Sequence, residues 1–300
     1  MKILITGANG LLGQKLVRLL QEQPQVQLLA TGRGACRLSG LPAHQYRQLD
    51  VTDRQAVMTL LQEWQPDSVV HTAAMTQVDD CELNPTACWV ANVEAVAHVV
   101  AGCEAVGAHL VHLSTDFIFD GSQGPLDEEA TPNPVNYYGQ TKLEAEKLVQ
   151  QAEIDWAIAR TVLVYGVVPG LSRSNIILWV KESLEQGKTI RVVDDQWRTP
   201  TLAEDLAMGC WLLAKNKARG VYNISGADML TPYQMALQVA DYFGLDKRLI
   251  ERADSTTFTQ PAKRPPRTGF IIDKAKNELG YRPHSFAEGI AIVARQVAGG

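Results

Sequence analysis

The 300-residue chain lacks the marks of a metal- or disulfide-stapled domain. Its five cysteines, Cys36, Cys81, Cys88, Cys103 and Cys210, fall at irregular spacing, with no Cys-x-x-Cys pair and no histidine at zinc spacing. An odd, unpatterned set reads as reduced and mostly buried thiols in a cytoplasmic protein. An excess of basic charge is also missing: 28 Lys and Arg face 33 Asp and Glu, for a net charge of -5. That argues against nucleic acid as the main partner. No uninterrupted apolar run reaches the roughly 18 residues of a membrane span. Met1 to Ile5 enter a strand pattern directly, which leaves no room ahead of them for the charged and apolar segments of a signal peptide. The expectation is a cytoplasmic protein with no membrane segment. The 23 glycines and 14 prolines are scattered, and no low-complexity tract or solenoid-period repeat occurs.

What the chain does have is 46% hydrophobic content and length for one large domain, or a domain with an added lobe. Short apolar runs alternate with amphipathic segments through the first half. Strands are predicted over Lys2 to Thr6, Val26 to Thr31, Tyr46 to Leu49, Ser68 to Thr72, Leu110 to Ser114 and Trp156 to Ala159. Helices are predicted over Leu11 to Gln23, Arg54 to Glu63, Pro85 to Val106 and Tyr137 to Ala152. Nearly unbroken apolar strands between helices spell an α/β fold with a doubly wound parallel sheet. Past Leu163 the rhythm changes. Helices near Asn175 to Gln186, Ala203 to Lys215, Pro232 to Phe243 and Phe286 to Val297, with strands at Thr189 to Val193 and Val221 to Ile224, suggest a small lobe interleaved with the sheet. Residues 1–165 are read as the dinucleotide-binding part and 166–300 as the substrate lobe.

In such sheets ligands lie beyond the carboxyl ends of the strands. The first strand ends in Gly7-Ala8-Asn9-Gly10-Leu11-Leu12-Gly13 and opens a helix. Pyrophosphate binding needs a tight turn, a backbone without obstructing Cβ atoms and a helix amino-terminus. The second strand runs into Gly32-Arg33-Gly34, with no carboxylate to bond an adenosine ribose. Arg33 can pair with a 2′-phosphate, which tilts the cofactor toward NADP(H) over NAD(H). Asp50 and Val51 follow the third strand at the adenine position, and Ala73 and Ala74 follow the fourth with small side chains that let a cofactor lie close.

The fifth strand ends in Ser114-Thr115-Asp116, and about twenty residues on a helix starts with Tyr137-Tyr138-Gly139-Gln140-Thr141-Lys142. Tyr138 and Lys142, four apart, share one helix face. A phenol with an ordinary pKa of about 10 is drawn toward working pH by an adjacent cation, and can then exchange a proton with a carbonyl oxygen.

These residues resemble the extended short-chain dehydrogenase/reductase family, with its glycine-rich loop, Ser/Thr and Tyr-x-x-x-Lys set on Gly7, Gly10, Gly13, Thr115, Tyr138 and Lys142. The resemblance implies a Rossmann-like fold. It also implies that Asn92 supports the lysine through water. Ser114 to Gly121, Tyr138 to Lys142, Arg198 to Thr201 and Arg264-Pro265 look more narrowly like the dTDP-4-dehydrorhamnose reductase branch. That branch implies reduction of a 4-keto group on a nucleotide-linked deoxysugar, with Tyr138 as proton donor, Lys142 on the nicotinamide ribose and Thr115 bonded to the substrate oxygen. Thr76, Val78 and the acids Asp79 and Glu82 would border the sugar, although those acids equally suit the first turn of a helix. Asp116 and Phe117 would contact substrate. Dehydratases carry a glutamate at the position of Phe117, and a phenyl ring cannot act as a base. Trp197 and Arg198 would lie over the substrate, and Arg264 would add charge for a diphosphate.

The chain departs from the reductase pattern in two places: Arg267-Thr268 follows an added-looking Pro266, and Leu163 stands where the reductases carry tryptophan. Lys15 occupies the position of an acidic metal ligand in some relatives, so no metal is expected. His71 and His112 lie inside strands and read as satisfied core groups; Trp64, Trp156, Trp179 and Trp211 read as core. Two other readings stay open. One is a non-catalytic regulator, since the chain also resembles the methionine adenosyltransferase β subunit. The other is a nucleotide-sugar epimerase. The family resemblance allows a homodimer.

Overall fold

Ile3, Leu4 and Ile5 are buried because the strand they form has helices on both of its faces. The computed structural model describes residues 1–170 and 175–298. In chain order the first half comprises β1 (Lys2–Thr6), α1 (Leu11–Gln21), β2 (Gln27–Gly32), β3 (Tyr46–Gln48), α2 (Arg54–Trp64), β4 (Ser68–His71), α3 (Val78–Leu83), α4 (Pro85–Trp89), α5 (Ala95–Val106), β5 (His109–Thr115), α6 (Tyr137–Gln150) and β6 (Trp156–Thr161). The second half adds β7 (Val164–Tyr165), α7 (Ile176–Glu185), β8 (Ile190–Val193), β9 (Trp197–Arg198), β10 (Thr201–Leu202), α8 (Ala203–Lys215), β11 (Gly220–Asn223), α9 (Pro232–Phe243), β12 (Ile250–Ala253), β13 (Arg267–Thr268), α10 (Asp273–Leu279) and α11 (Phe286–Ala298).

Seven of these strands form one parallel sheet in the order β11-β6-β5-β4-β1-β2-β3. The winding reverses between β1 and β4, and that switch point opens the crevice where a ligand can lie. Strand alternation divides the core. Ile3, Ile5, Val70 and Val111 pack with Leu16 and Leu20 of α1 and Leu206 and Leu213 of α8. On the other face Leu4, Val69, Leu110 and Ile158 pack with α2, α5 and α6. A third core joins α7, α9 and α11 to β8 and β12 through Ile177, Val180, Val239, Phe286 and Ile290. The second half is therefore shared: α8, β11 and α10 return to the main sheet, while the rest builds the separate core.

The caps explain where the helices begin. Asp53 accepts from Ala56 N at 3.0 Å to start α2, and Asn136 accepts from Gly139 N at 2.8 Å to start α6. Thr231 and Gln234 form a reciprocal capping box on α9, with Pro232 at its first turn. The expected single helix over Pro85 to Val106 is interrupted by a π-helical turn at Val90–Glu94. By length and composition this 22-residue run is long and apolar enough for a membrane span, with a mean hydropathy of 1.3 in its 18-residue window. Thr86, Asn92, Glu94, His98 and Glu104 interrupt its apolar sequence. Half of that window is buried, and Val96, Val99 and Val100 pack on the sheet.

Candidate active site

The glycine turn is built by three different constraints. Gly7 has φ +69°, and a Cβ there would lie 2.7 Å from Ala73 N; at Gly13 a Cβ would meet Gly7 O at 2.4 Å. Gly10 is the N-cap of α1 and brings no side chain to the cap, so the first-turn N–H groups around Leu11 and Leu12 are open to an anion. Asn9 turns away to the neighbouring loop. Its Nδ2 donates to the carbonyls of Arg33 (3.2 Å) and Ala35 (3.0 Å), and its Oδ1 accepts from Arg37 N at 2.9 Å. The Tyr46 hydroxyl, 2.9 Å from Gly34 O, ties the same loop. Asn9 thus shapes the segment that displays Arg33, and with it an exposed second guanidinium, Arg37. In the sequence the one signal for Arg37 is its place four residues after Arg33 in a glycine-bearing loop. The backbone N–H of Thr52 holds the Asp50 carboxyl below its usual range, with the Thr52 hydroxyl and Arg33 assisting. Val51 is buried, its carbonyl 3.2 Å from His98 Nδ1.

At the carboxyl end of β5 the chain turns tightly through Asp116–Ile118, and α6 starts directly against it. Gly139 makes that approach possible: a Cβ there would sit 2.1 Å from Phe117 O. A Gly139→Ala variant is expected to push the start of α6 away from this turn and to cost about 1–3 kcal/mol, read as a lowered urea midpoint, with turnover falling alongside. Tyr138 is buried, with Phe117 packed edge-on at 5.8 Å between ring centroids. Lys142, one turn on, is buried and donates to Leu113 O at 2.6 Å. Burial pushes its ammonium down to about 8, against the pull of Glu146.

Thr115 accepts from Phe117 N at 3.3 Å, and its hydroxyl donates to Asp116 Oδ1 at 3.1 Å. Asp116 is itself buried, bonded by the Thr268 hydroxyl, with Arg198 Nε 3.7 Å away. Burial pushes the Asp116 carboxyl up, and Arg198, Thr268 and Thr115 oppose that rise. Asn92, in the π turn, does not bond Lys142 directly. Its Oδ1 accepts from Met75 N (2.8 Å), and its Nδ2 donates to Met75 O (3.0 Å) and Thr141 Oγ1 (3.2 Å). Thr141 in turn donates to Tyr138 O at 2.8 Å. Asn92 therefore fastens the loop that carries Ala73 and Ala74 to the helix of the tyrosine.

The residues read as bordering a sugar meet across long sequence separations. Asp79 and Arg264 form a bidentate pair at 2.6 and 2.8 Å, tying α3 to the segment before β13. Arg264 holds the Asp79 carboxyl below its usual range. Glu82 accepts from Tyr137 N at 3.0 Å. Arg198 donates to Pro265 O and Trp197 O, both at 2.7 Å. It thus anchors the Arg264–Thr268 segment more than it faces a ligand. Trp197 is half-buried, with the Arg267 guanidinium 5.4 Å over its ring. Val78 and Phe117 pack beside Tyr138, and Thr76 is exposed just ahead of α3. Leu163 is 44% exposed with φ +36°, a strained backbone for a leucine.

The cysteines correct one expectation: Cys81 and Cys88 are joined as a disulfide, and Cys36, Cys103 and Cys210 are free. The physical reason is the turn at Asn84-Pro85, which sets α3 and α4 side by side and brings the two Cα atoms to 5.0 Å. The histidines also differ from expectation. His109 is satisfied, 3.0 Å from Ser68 Oγ and 2.8 Å from Ala218 O, but His112 has no hydrogen-bond partner among the described residues. Trp179 is exposed rather than core.

A seven-stranded parallel sheet, a glycine turn before α1 and a buried Tyr-x-x-x-Lys pair on α6 define an extended short-chain dehydrogenase/reductase. The RmlD substrate binding domain family matches residues 1–298, and the chain belongs to that family. A probable low-salt glycan biosynthesis reductase of Haloferax volcanii is 32% identical over 289 residues, 96% of this chain and 95% of that protein. The methionine adenosyltransferase 2 β subunit of Bos taurus is 34% identical over 249 residues, 81% of this chain and 72% of that one. Among solved structures, the dTDP-4-dehydrorhamnose reductase of Bacillus anthracis in complex with NADP superposes with a TM-score of 0.82 at 26% identity, covering 98% of this chain and 99% of that one.

Proposed function

We propose that this protein reduces the 4-keto group of a nucleotide-linked deoxysugar, with NADP(H) preferred over NAD(H). The observation that carries the reading is the pairing of buried Tyr138 and Lys142 on α6 at the carboxyl edge of the same sheet that carries the glycine turn. The cradle fits a dinucleotide. Gly7 and Gly13 sit where a Cβ would collide with backbone, and the uncapped first turn of α1 offers N–H groups to a diphosphate. Bound there, a nicotinamide supplies the hydride. Tyr138 gives its proton to the carbonyl oxygen, and the Lys142 ammonium stabilises the phenolate left behind. Thr115 joins by turning its hydroxyl from Asp116 to the substrate oxygen. Phe117 offers no base for eliminating water, which disfavours dehydratase chemistry. The nucleotide sugar is the proposed partner, and a homodimer is compatible with the family.

The test is consumption of NADPH by the purified protein with a dTDP-4-keto-6-deoxysugar, using Tyr138→Phe as control. Tyr138-dependent consumption supports the reductase. NADP binding without consumption of any such ketone overturns it, and favours the regulatory reading suggested by the likeness to the β subunit. In that case a partner protein should tighten NADP binding. Arg33 belongs to the cofactor preference. Arg33→Ala is expected to raise the Kd for NADPH by about tenfold, the loss of one charge-assisted pair, and to leave NADH within about twofold. An unchanged preference by titration removes Arg33 from the phosphate site.

A further inference from the structure

The strand register sets Thr6, His71 and His112 side by side near the carboxyl ends of β1, β4 and β5. Alternation puts all three on the face of Leu4, Val69 and Leu110, the face covered by α5 and α6. The two imidazoles are buried and stacked, with centroids 5.7 Å apart and planes 17° from parallel. Thr6 Oγ1 lies 2.8 Å from His71 Nδ1. Among the described residues, the remaining ring nitrogens, His71 Nε2 and both of His112, are buried without a hydrogen-bond partner, as is Ser114 Oγ on the same face. Leaving such atoms unbonded is costly, and clustered buried polar atoms in native proteins are met by internal water.

Lys142 adjoins this row. It donates to the carbonyl of Leu113, between His112 and Ser114 on β5. Its charge reinforces the burial that pushes His71 down to about 3 and His112 well below its ordinary value. Both rings are therefore neutral, and each presents one lone pair and one N–H. The groups facing the ammonium are Tyr138 and Glu146 from its own helix, His112 from β5 and His71 from β4.

We propose that His71 and His112 are positioning residues for Lys142: together with Ser114 they hold internal water against the lysine and so keep its ammonium charged beneath Tyr138. The inference rests on the dehydrogenase reading of the site. A buried ammonium has lost the solvent that stabilised it. Neutral imidazole lone pairs and a trapped water restore part of that solvation without adding a competing charge.

The test compares wild type with His112→Leu and His112→Asn, following the pH dependence of NADPH binding and of turnover. With His112→Leu the alkaline limb, where Lys142 loses its proton, is expected to move toward acid by about one unit, and His112→Asn is expected to recover most of the shift. A limb that stays in place while activity falls at all pH values is the mark of a merely structural role and overturns the proposal. Ring-nitrogen NMR of the wild-type protein supplies a readout that needs no variant to fold. It should find both rings neutral at neutral pH and a His112 ring N–H in contact with long-lived water, and a charged ring or no water contact overturns the proposal. The binding limb and the NMR signals need no ketone, so they separate failure of this inference from failure of the reductase reading.

Discussion

Tyr138→Phe is expected to lower turnover by about 10²- to 10⁴-fold, the contribution of a positioned proton donor, while NADPH affinity stays within about twofold. The substitution removes only the hydroxyl. The ring keeps its edge-on contact with Phe117 and its place beside the Cys81–Cys88 pair, so the start of α6 and the Lys142 ammonium are left as they are. Single-turnover consumption of NADPH measures the chemical step, and a fluorescence titration measures binding. A drop in affinity with the chemical step unchanged would mean that the hydroxyl contributes equally to ground and transition states. Unaltered turnover would remove Tyr138 from proton transfer.

The features legible in the sequence are those encoded within a few neighbouring residues. The strand of Ile3, Leu4 and Ile5 is an unbroken apolar run, the glycines of the turn recur every three residues, and Tyr138 and Lys142 share one helical turn. The Asp79–Arg264 pair spans 185 residues and the Thr268–Asp116 contact spans 152. No local pattern reports such partners, because they depend on how the segment before β13 lies across α3 and β9. Asn92 shows the intermediate case. Its position in a helix was readable, but its bonds to Met75 and Thr141 depend on a π turn that propensity does not encode. Asn9 likewise belongs to the glycine turn by sequence and to the Arg33 loop by contact. The disulfide is illegible in the sequence for the same reason: a seven-residue spacing becomes a bond only when two short helices pack side by side.

The largest effect on stability is expected one turn beyond Lys142. Arg160 on β6 donates from Nε and Nη2 to Glu146 at 3.0 and 2.8 Å, with both side chains nearly inaccessible to solvent. Its third donor, Nη1, reaches Glu128 O at 3.0 Å, and the guanidinium lies 5.5 Å over the Phe119 ring. Glu146→Leu leaves that guanidinium buried without its counter-charge, and should cost about 3–5 kcal/mol, seen as a lower urea midpoint with an unchanged slope. Glu146→Leu combined with Arg160→Met removes both charges and should recover most of the loss, because the Coulombic gain of a buried pair roughly offsets its desolvation. A single variant as stable as wild type would mean that water reaches the guanidinium. The double variant then isolates the electrostatic influence of α6 on the site. Glu146 is the group that opposes the burial of Lys142, so without it the lysine loses its proton at lower pH than about 8. Turnover of the refolded double variant should therefore match wild type on the acid side and fall earlier as pH rises.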